Sequence, residues 1–238
     1  MALYAISDLH LAVSIAKPMD IFGFNWDNYM ERLKQNWEET VREDDWVVIP
    51  GDISWATYLK QAVGDFKFID DLPGKKIISK GNHDYWWTTL NKLLQFKEEY
   101  GLNTINFMHN TSFDLGNYAI CGTRGWKCPG DSDFSPEDRK IYERELQRLE
   151  LSIKSIKGGI NGKKLIAAMH YPPFNTKMQP SGFVEIMQKY NVKMCIYGHL
   201  HGESRKNAVT GNINNIEFRL ISADYLGFKP QRIDDYFA

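Results

Sequence analysis

The chain has 238 residues, of which 43% are hydrophobic and 13% aromatic; this is enough apolar material for one well-filled core, so the expectation is a single domain over 1–238. Its 29 basic residues against 30 acidic ones leave a formal charge of -1, which excludes a global electrostatic pull toward nucleic acid or anionic lipid. There is no apolar run long enough for a membrane span and no charged leader followed by a long apolar stretch, so the expected location is cytoplasmic.

In chain order, short β-type runs are expected at Leu3 to Ile6, Trp46 to Ile49, Lys76 to Ser79, Tyr118 to Cys121, Lys164 to Met169, Lys193 to Tyr197 and Ile216 to Ile221. Several are too uniformly apolar for a half-exposed strand and read as sheet buried on both faces. Between them lie helical patterns. Trp26, Tyr29, Met30, Leu33, Trp37 and Val41 form one apolar stripe, and further helices are expected over about Ala56 to Asp70 and Trp86 to Glu99. The clearest helix starts at Ser135, with Pro136 in its first turn, Asp138 completing a capping box, a stripe from Tyr142 to Ile156, and Gly158 as its stop. The alternation of strands and helices predicts an α/β fold. The Gly/Pro-rich segment from Gly122 to Pro136 is the one long irregular insertion, of the kind that covers a site. Cys121, Cys128 and Cys195 are odd in number with no close pair, so they read as reduced packing thiols.

Where the strands stop is more informative. The first ends in Ser7, Asp8, Leu9, His10; the second in Pro50, Gly51, Asp52; the third in Lys80, Gly81, Asn82, His83, Asp84. The fifth ends in Met169, His170, Tyr171 and the sixth in Gly198, His199, Leu200, His201, so five of the six histidines lie at strand ends. Open α/β sheets place their ligands at that edge. Imidazole nitrogen with carboxylate and amide oxygen suits Mn, Fe, Co or Zn. One ion would not use so many donors, whereas two ions roughly 3.5 to 4 Å apart and sharing a carboxylate would; such pairs catalyse in-line displacement at phosphorus. Asp52, alone at its strand end, is a natural bridge. Taken singly, "GD" is also a common turn dipeptide, and Asp8 with His10 could be a polar strand end.

The ordered set "DLH", "GD", "GNHD", "H" and "GHLH", from Ser7 to Gly202, resembles the calcineurin-like metallophosphoesterase superfamily, in its branch of small bacterial-type phosphohydrolases. The resemblance implies a four-layer α/β/β/α sandwich with two mixed β-sheets and a dinuclear metal site at the strand C-terminal edge. The segment from Ile216 to Ala223 would add strands to the second sheet. It also implies Asp8, His10, Asp52 and His201 as ligands of one metal, and Asp52, Asn82, His170 and His199 as ligands of the other. His83 would be the catalytic histidine, with Asp84 as the partner that orients it. The chemistry agrees: water bridging two cations is hydroxide near neutral pH, and what the reaction still lacks is a proton for the departing oxygen, which a histidine supplies.

Protein Ser/Thr phosphatases of this superfamily carry an arginine shortly after "GD", whereas here Asp52 is followed by Ile53, Ser54, Trp55 and Ala56. The expected partner is therefore a small phosphomonoester or phosphodiester. Arg124 and Lys127 are candidates for holding its phosphate, while Trp55, Tyr85, Trp86, Trp87 and Trp126 could stack a base or pack a leaving group and read equally well as core; Arg124 and Trp126 are taken as the candidate substrate-binding pair. Alternative functions are a nuclease, for which no basic track is visible, a lipid-precursor phosphoesterase, and a non-catalytic scaffold, which would have lost ligands that this chain keeps.

Overall fold

Val47, Val48 and Ile49 are buried on alternating sides of one strand, and Leu165 to Met169 do the same in another, the pattern of strands covered on both faces. In the computed structural model, residues 1–15, 17, 19, 26–160 and 162–237 are described. They form two compact units, Met1–Phe107 with Ile221–Ala238, and Met108–Leu220.

The first unit is built on β1 (Leu3–Ala5), β2 (Trp46–Pro50), β3 (Lys75–Ser79), β4 (Ile105–Phe107) and β11 (Gln231–Arg232). Their order is β11-β1-β2-β3-β4, with β1 to β4 parallel and β11 antiparallel against β1. Because β1, β2 and β3 run parallel, their polar endings all emerge at one edge. Helices α1 (Tyr29–Thr40), α2 (Val63–Asp71) and α3 (Leu90–Glu99) supply Leu33, Trp37, Phe66, Ile69, Leu93 and Phe96 to a core shared with Tyr4, Val47, Ile49 and Ile78.

The second unit contains β5 (Phe113–Asp114), β6 (Tyr118–Thr123), β7 (Lys164–Met169), β8 (Met194–Tyr197), β9 (Gly211–Ile213) and β10 (Ile216–Leu220), in the order β5-β6-β7-β8-β10-β9. β6, β7, β8 and β10 are parallel, while β5 and β9 close the edges as antiparallel partners. Helices α4 (Pro136–Lys154) and α5 (Gly182–Lys189) pack Leu149, Ile153, Phe183 and Met187 into its core. Both sheets are mixed and both units are α/β, as expected. Among the described residues no helix is long and apolar enough to cross a membrane.

Several boundaries differ from expectation for local reasons. Ala56 to Tyr58 are not helical: the Ser54 hydroxyl accepts the Ala56 amide and the Gln61 side chain accepts those of Thr57 and Tyr58. A 3-10 turn, Leu59–Ala62, then leads into α2. Helix α3 starts at Leu90 rather than Trp86, because the His83 and Asp84 carbonyls take the amides of Tyr85 and Trp87 in a tight turn. The Ser135 capping box forms as read, but α4 stops at Lys154, well before Gly158. Gly122 and Thr123 belong to β6, so the irregular segment starts at Arg124. Ile216–Leu220 joins the second sheet as expected, whereas Ile221 to Ala223 pair with Ser7, exchanging Ser7 N–H to Ile221 O at 2.8 Å and Ala223 N–H to Ser7 O at 2.9 Å.

Candidate metal centre

In the first unit, the loop after β1 carries Asp8 and His10, the loop after β2 carries Asp52, and the loop after β3 carries Asn82, His83 and Asp84. Asp8, His10 and Asp52 all have left-handed backbones, with φ of 60°, 48° and 52°. Non-glycine residues rarely stay there unless their surroundings hold them, and such positions cluster at functional sites. The holding is visible. The Asp8 and His10 amides donate to the Gly51 and Asp52 carbonyls at 3.0 and 2.9 Å, and the Tyr29 hydroxyl donates to the His10 carbonyl at 2.8 Å. Asp65 on α2 ties the loops after β1 and β2 together, accepting the Val13 amide at 2.7 Å and the Ser54 hydroxyl.

The side chains converge. Asp8 and Asp52 are buried with carboxylate oxygens within 4.8 Å of each other, and His10 offers a ring nitrogen 3.8 Å from Asp52 Oδ2 and within 4.8 Å of Asp8. The other Asp52 oxygen accepts the His83 amide at 2.8 Å. Two carboxylates brought together out of water repel, and a divalent cation answers both that repulsion and the imidazole beside it. This donor set fits a metal of the Mn, Fe, Co or Zn type.

Asp84 is fully buried, and among the described residues its carboxylate meets only backbone amides: Asp52 at 2.9 Å, Gly81 at 2.7 Å, Ile53 at 2.9 Å and Ser54 at 3.4 Å. Burial raises its pKa, and the four amides pull the other way. This clamp locks the loops after β2 and β3 together. His83 packs on Trp55, with ring centres 4.7 Å apart, while Trp55 also stacks on His10 at 4.8 Å and 24°. The Lys17 ammonium lies over the Trp55 ring, 2.9 Å from its centre. Trp86 is core, packed against Phe66 and Trp87; Tyr85 is exposed.

In the second unit, His170 follows β7 and is fully buried; His199 and His201 follow β8, His199 with φ of 71°. The His170 and His199 rings lie 5.1 Å apart at 73°, and Tyr171 lies against His199 at 4.1 Å. The Arg124 carbonyl accepts the His170 and Tyr171 amides, and the His170 carbonyl accepts that of Gly198, which fixes the ends of β6, β7 and β8 to one another. His201 is half-buried and opens a 3-10 turn, Gly202–Asn207.

The Arg124 guanidinium lies on Trp126 at 4.4 Å and 3.7 Å from Glu145, a buried carboxylate on α4 that Arg144 at 3.7 Å, Arg148 at 2.7 Å and the Thr123 hydroxyl at 2.6 Å also meet. Trp126 donates its indole N–H to Asp138 at 2.8 Å and packs on Tyr171 at 5.2 Å. Sequence reasoning missed Tyr29, Asp65, Glu145 and Tyr171. The first three signal themselves only as polar atoms on otherwise apolar helix faces.

The chain belongs to the calcineurin-like phosphoesterases, whose family model matches residues 1–203; this is a family of metal-dependent phosphoester hydrolases. No curated protein matches the chain in sequence. Solved structures do resemble it. The phosphopantetheinyl hydrolase of Mycobacterium tuberculosis has 13% identity and a TM-score of 0.59, with 98% of this chain and 95% of that chain covered. A protein of Thermus thermophilus has 14% identity and a TM-score of 0.51, over 84% and 81%. A protein of unknown function from Aquifex aeolicus has 18% identity and a TM-score of 0.49, over 96% and 94%. At such identities the likeness is one of fold.

Proposed function

We propose that the protein hydrolyses a small phosphomonoester or phosphodiester, with Asp8, His10, Asp52, Asn82, His170, His199 and His201 holding two divalent cations and His83 acting as general acid. The observation that carries this reading is the pair of buried carboxylates, Asp8 and Asp52, held beside His10 on left-handed backbone at adjacent strand ends. When bound, the cations supply Lewis-acid polarisation of the phosphoryl group and acidify water.

The chain's own residues do the rest. Asp52 is set by its neighbours: one oxygen accepts the His83 amide, so the position of the acid and that of the carboxylate are coupled. His83 is half-buried, and Trp55 limits the rotation of its ring. From there it gives a proton to the leaving oxygen, a transfer suited to an imidazole near neutral pH. Asp84 keeps the loops in register through backbone amides and takes no proton in this scheme. Arg124 is one of three arginines around a single buried carboxylate, so the cluster keeps net positive charge with which to hold a phosphoryl oxygen. The test is elemental analysis of the purified protein together with hydrolysis of aryl mono- and diesters before and after chelation. Metal bound and activity lost on chelation support the reading; metal bound with no ester cleaved after reloading with Mn, Fe, Co or Zn would favour a scaffold.

A further inference from the structure

The segment after β6 does more than cover the sheet. Together with the loops after β7 and β8, it forms a cavity of about 300 Å³ whose lining includes Trp126, Cys128, Tyr171, Phe174, Leu200 and His199. The cavity therefore lies at the C-terminal ends of three adjacent parallel strands, the usual ligand edge of such sheets, and its volume is that of a small-molecule site.

Its charged groups are engaged within its own wall. Lys127 pairs with Asp133 at 2.6 Å. Asp131 accepts the Cys128 amide at 2.9 Å and the Thr176 amide at 2.7 Å, pinning one loop to the other. The Asn175 side chain donates to the Pro129 carbonyl and accepts the Lys177 and Gln179 amides. What faces the cavity is then mostly ring and aliphatic surface. Such a lining favours an uncharged apolar group, and offers little to a second phosphate or a polyol. Its volume is too small for a folded protein segment.

We infer that this cavity is the subsite for the alcohol part of the phosphoester, and that it selects a compact, uncharged alcohol bearing a planar ring. The inference rests on the hydrolase reading above, in which His199, a residue of the cavity lining, is also a metal ligand and so joins the cavity to the phosphoryl site. The 124–135 segment is then the specificity loop, with Trp126 and Tyr171 as its aromatic wall.

The experiment compares benzyl phosphate with methyl phosphate, two monoesters whose alcohols are of similar acidity, on the Mn-loaded protein. The expected kcat/KM is about tenfold or more in favour of the benzyl ester, the scale on which apolar pockets discriminate. Thr176→Trp, which fills the exposed mouth of the cavity, and Trp126→Ala, which removes a wall, each erase the preference while methyl phosphate turnover by Thr176→Trp persists. Binding of benzyl alcohol to the metal-free protein, followed by saturation-transfer NMR, gives a readout independent of turnover and weakens in both variants. Equal kcat/KM for the two esters, or a preference untouched in folded Thr176→Trp and Trp126→Ala proteins, overturns the subsite. Cleavage of neither ester, and of no aryl diester, overturns the parent reading and the subsite's catalytic role with it, whereas methyl phosphate cleaved as well as benzyl phosphate overturns the subsite alone.

Discussion

Gly81 and Asp52 approach so closely that a Cβ on residue 81 would lie 2.1 Å from Asp52 Oδ1 and 2.3 Å from the Asp52 nitrogen. The glycine of "GNHD" is thus a matter of space as well as of turning. Gly81→Ala forces the Asp52 carboxylate away from His10 and the His83 amide. We expect a stability loss of about 1–3 kcal/mol in urea denaturation, as for overpacked sites. Misplacement of this order near reacting groups costs about 100-fold in turnover. Wild-type activity in Gly81→Ala would show that the Asp52 position is not critical.

Asp84 holds four backbone amides of two loops in a fully buried setting. Asp84→Ala strips all four of their acceptor, and each buried donor left unsatisfied costs about 1–3 kcal/mol. The expected loss is about 3 kcal/mol or more. Asp84→Asn should also be destabilised, because its amide nitrogen faces backbone donors. A near-neutral Asp84→Asn in urea denaturation would contradict the clamp.

Trp55 touches two imidazoles at once, stacked on His10 and tilted against His83, and under the proposed function it would position both. Trp55→Ala frees both rings, and the expected loss is about tenfold in kcat, the low end of the cost of removing a group that orients a metal ligand. Trp55→Phe keeps a flat face and should recover most of it. Equal kcat in Trp55→Ala and Trp55→Phe would assign the indole to packing alone.

The three cysteines are buried thiols, and burial pushes Cys121 and Cys128 up to about 12, with Cys195 raised in the same way. Native protein at pH 8 should resist thiol reagents, and unfolded protein should expose three reactive groups. Unfolded thiols ionise near about 8.5, so the folded chain keeps protons that the unfolded chain releases. Their contribution to stability is whole below that pH and is lost as pH climbs toward 12. Rapid labelling of the native protein would contradict this.

The strands were legible because residues such as Val47, Val48 and Ile49 are apolar without interruption, and a strand covered on both faces has no other composition. The strand-end motifs were legible because Asp8, Asp52 and His199 each come within three residues of the end of an apolar run. The left-handed backbone at these residues was not, since φ is set by partners such as the Gly51 carbonyl that are distant in sequence from Asp8. Helix α5 escaped notice because two turns give little periodicity; its stability comes from burying Phe183, Val184 and Met187. Strands β4, β9 and β11 have three residues or fewer and exist only through their neighbours. The Asp84 clamp was hidden for the same reason: a carboxylate's choice between a ring and a set of amides depends on how two loops meet.

The central claim, that metal binding and proton donation reside in different residues of adjoining loops, is tested by elemental analysis of His83→Ala and Asp52→Ala proteins beside hydrolysis of an aryl phosphoester. We predict that His83→Ala keeps the wild-type metal content and loses turnover by about 10²- to 10⁴-fold, the usual contribution of a general acid. Asp52→Ala should lose metal and activity together. A His83→Ala protein that binds no metal, or an Asp52→Ala protein that keeps its full metal content and activity, would contradict the account.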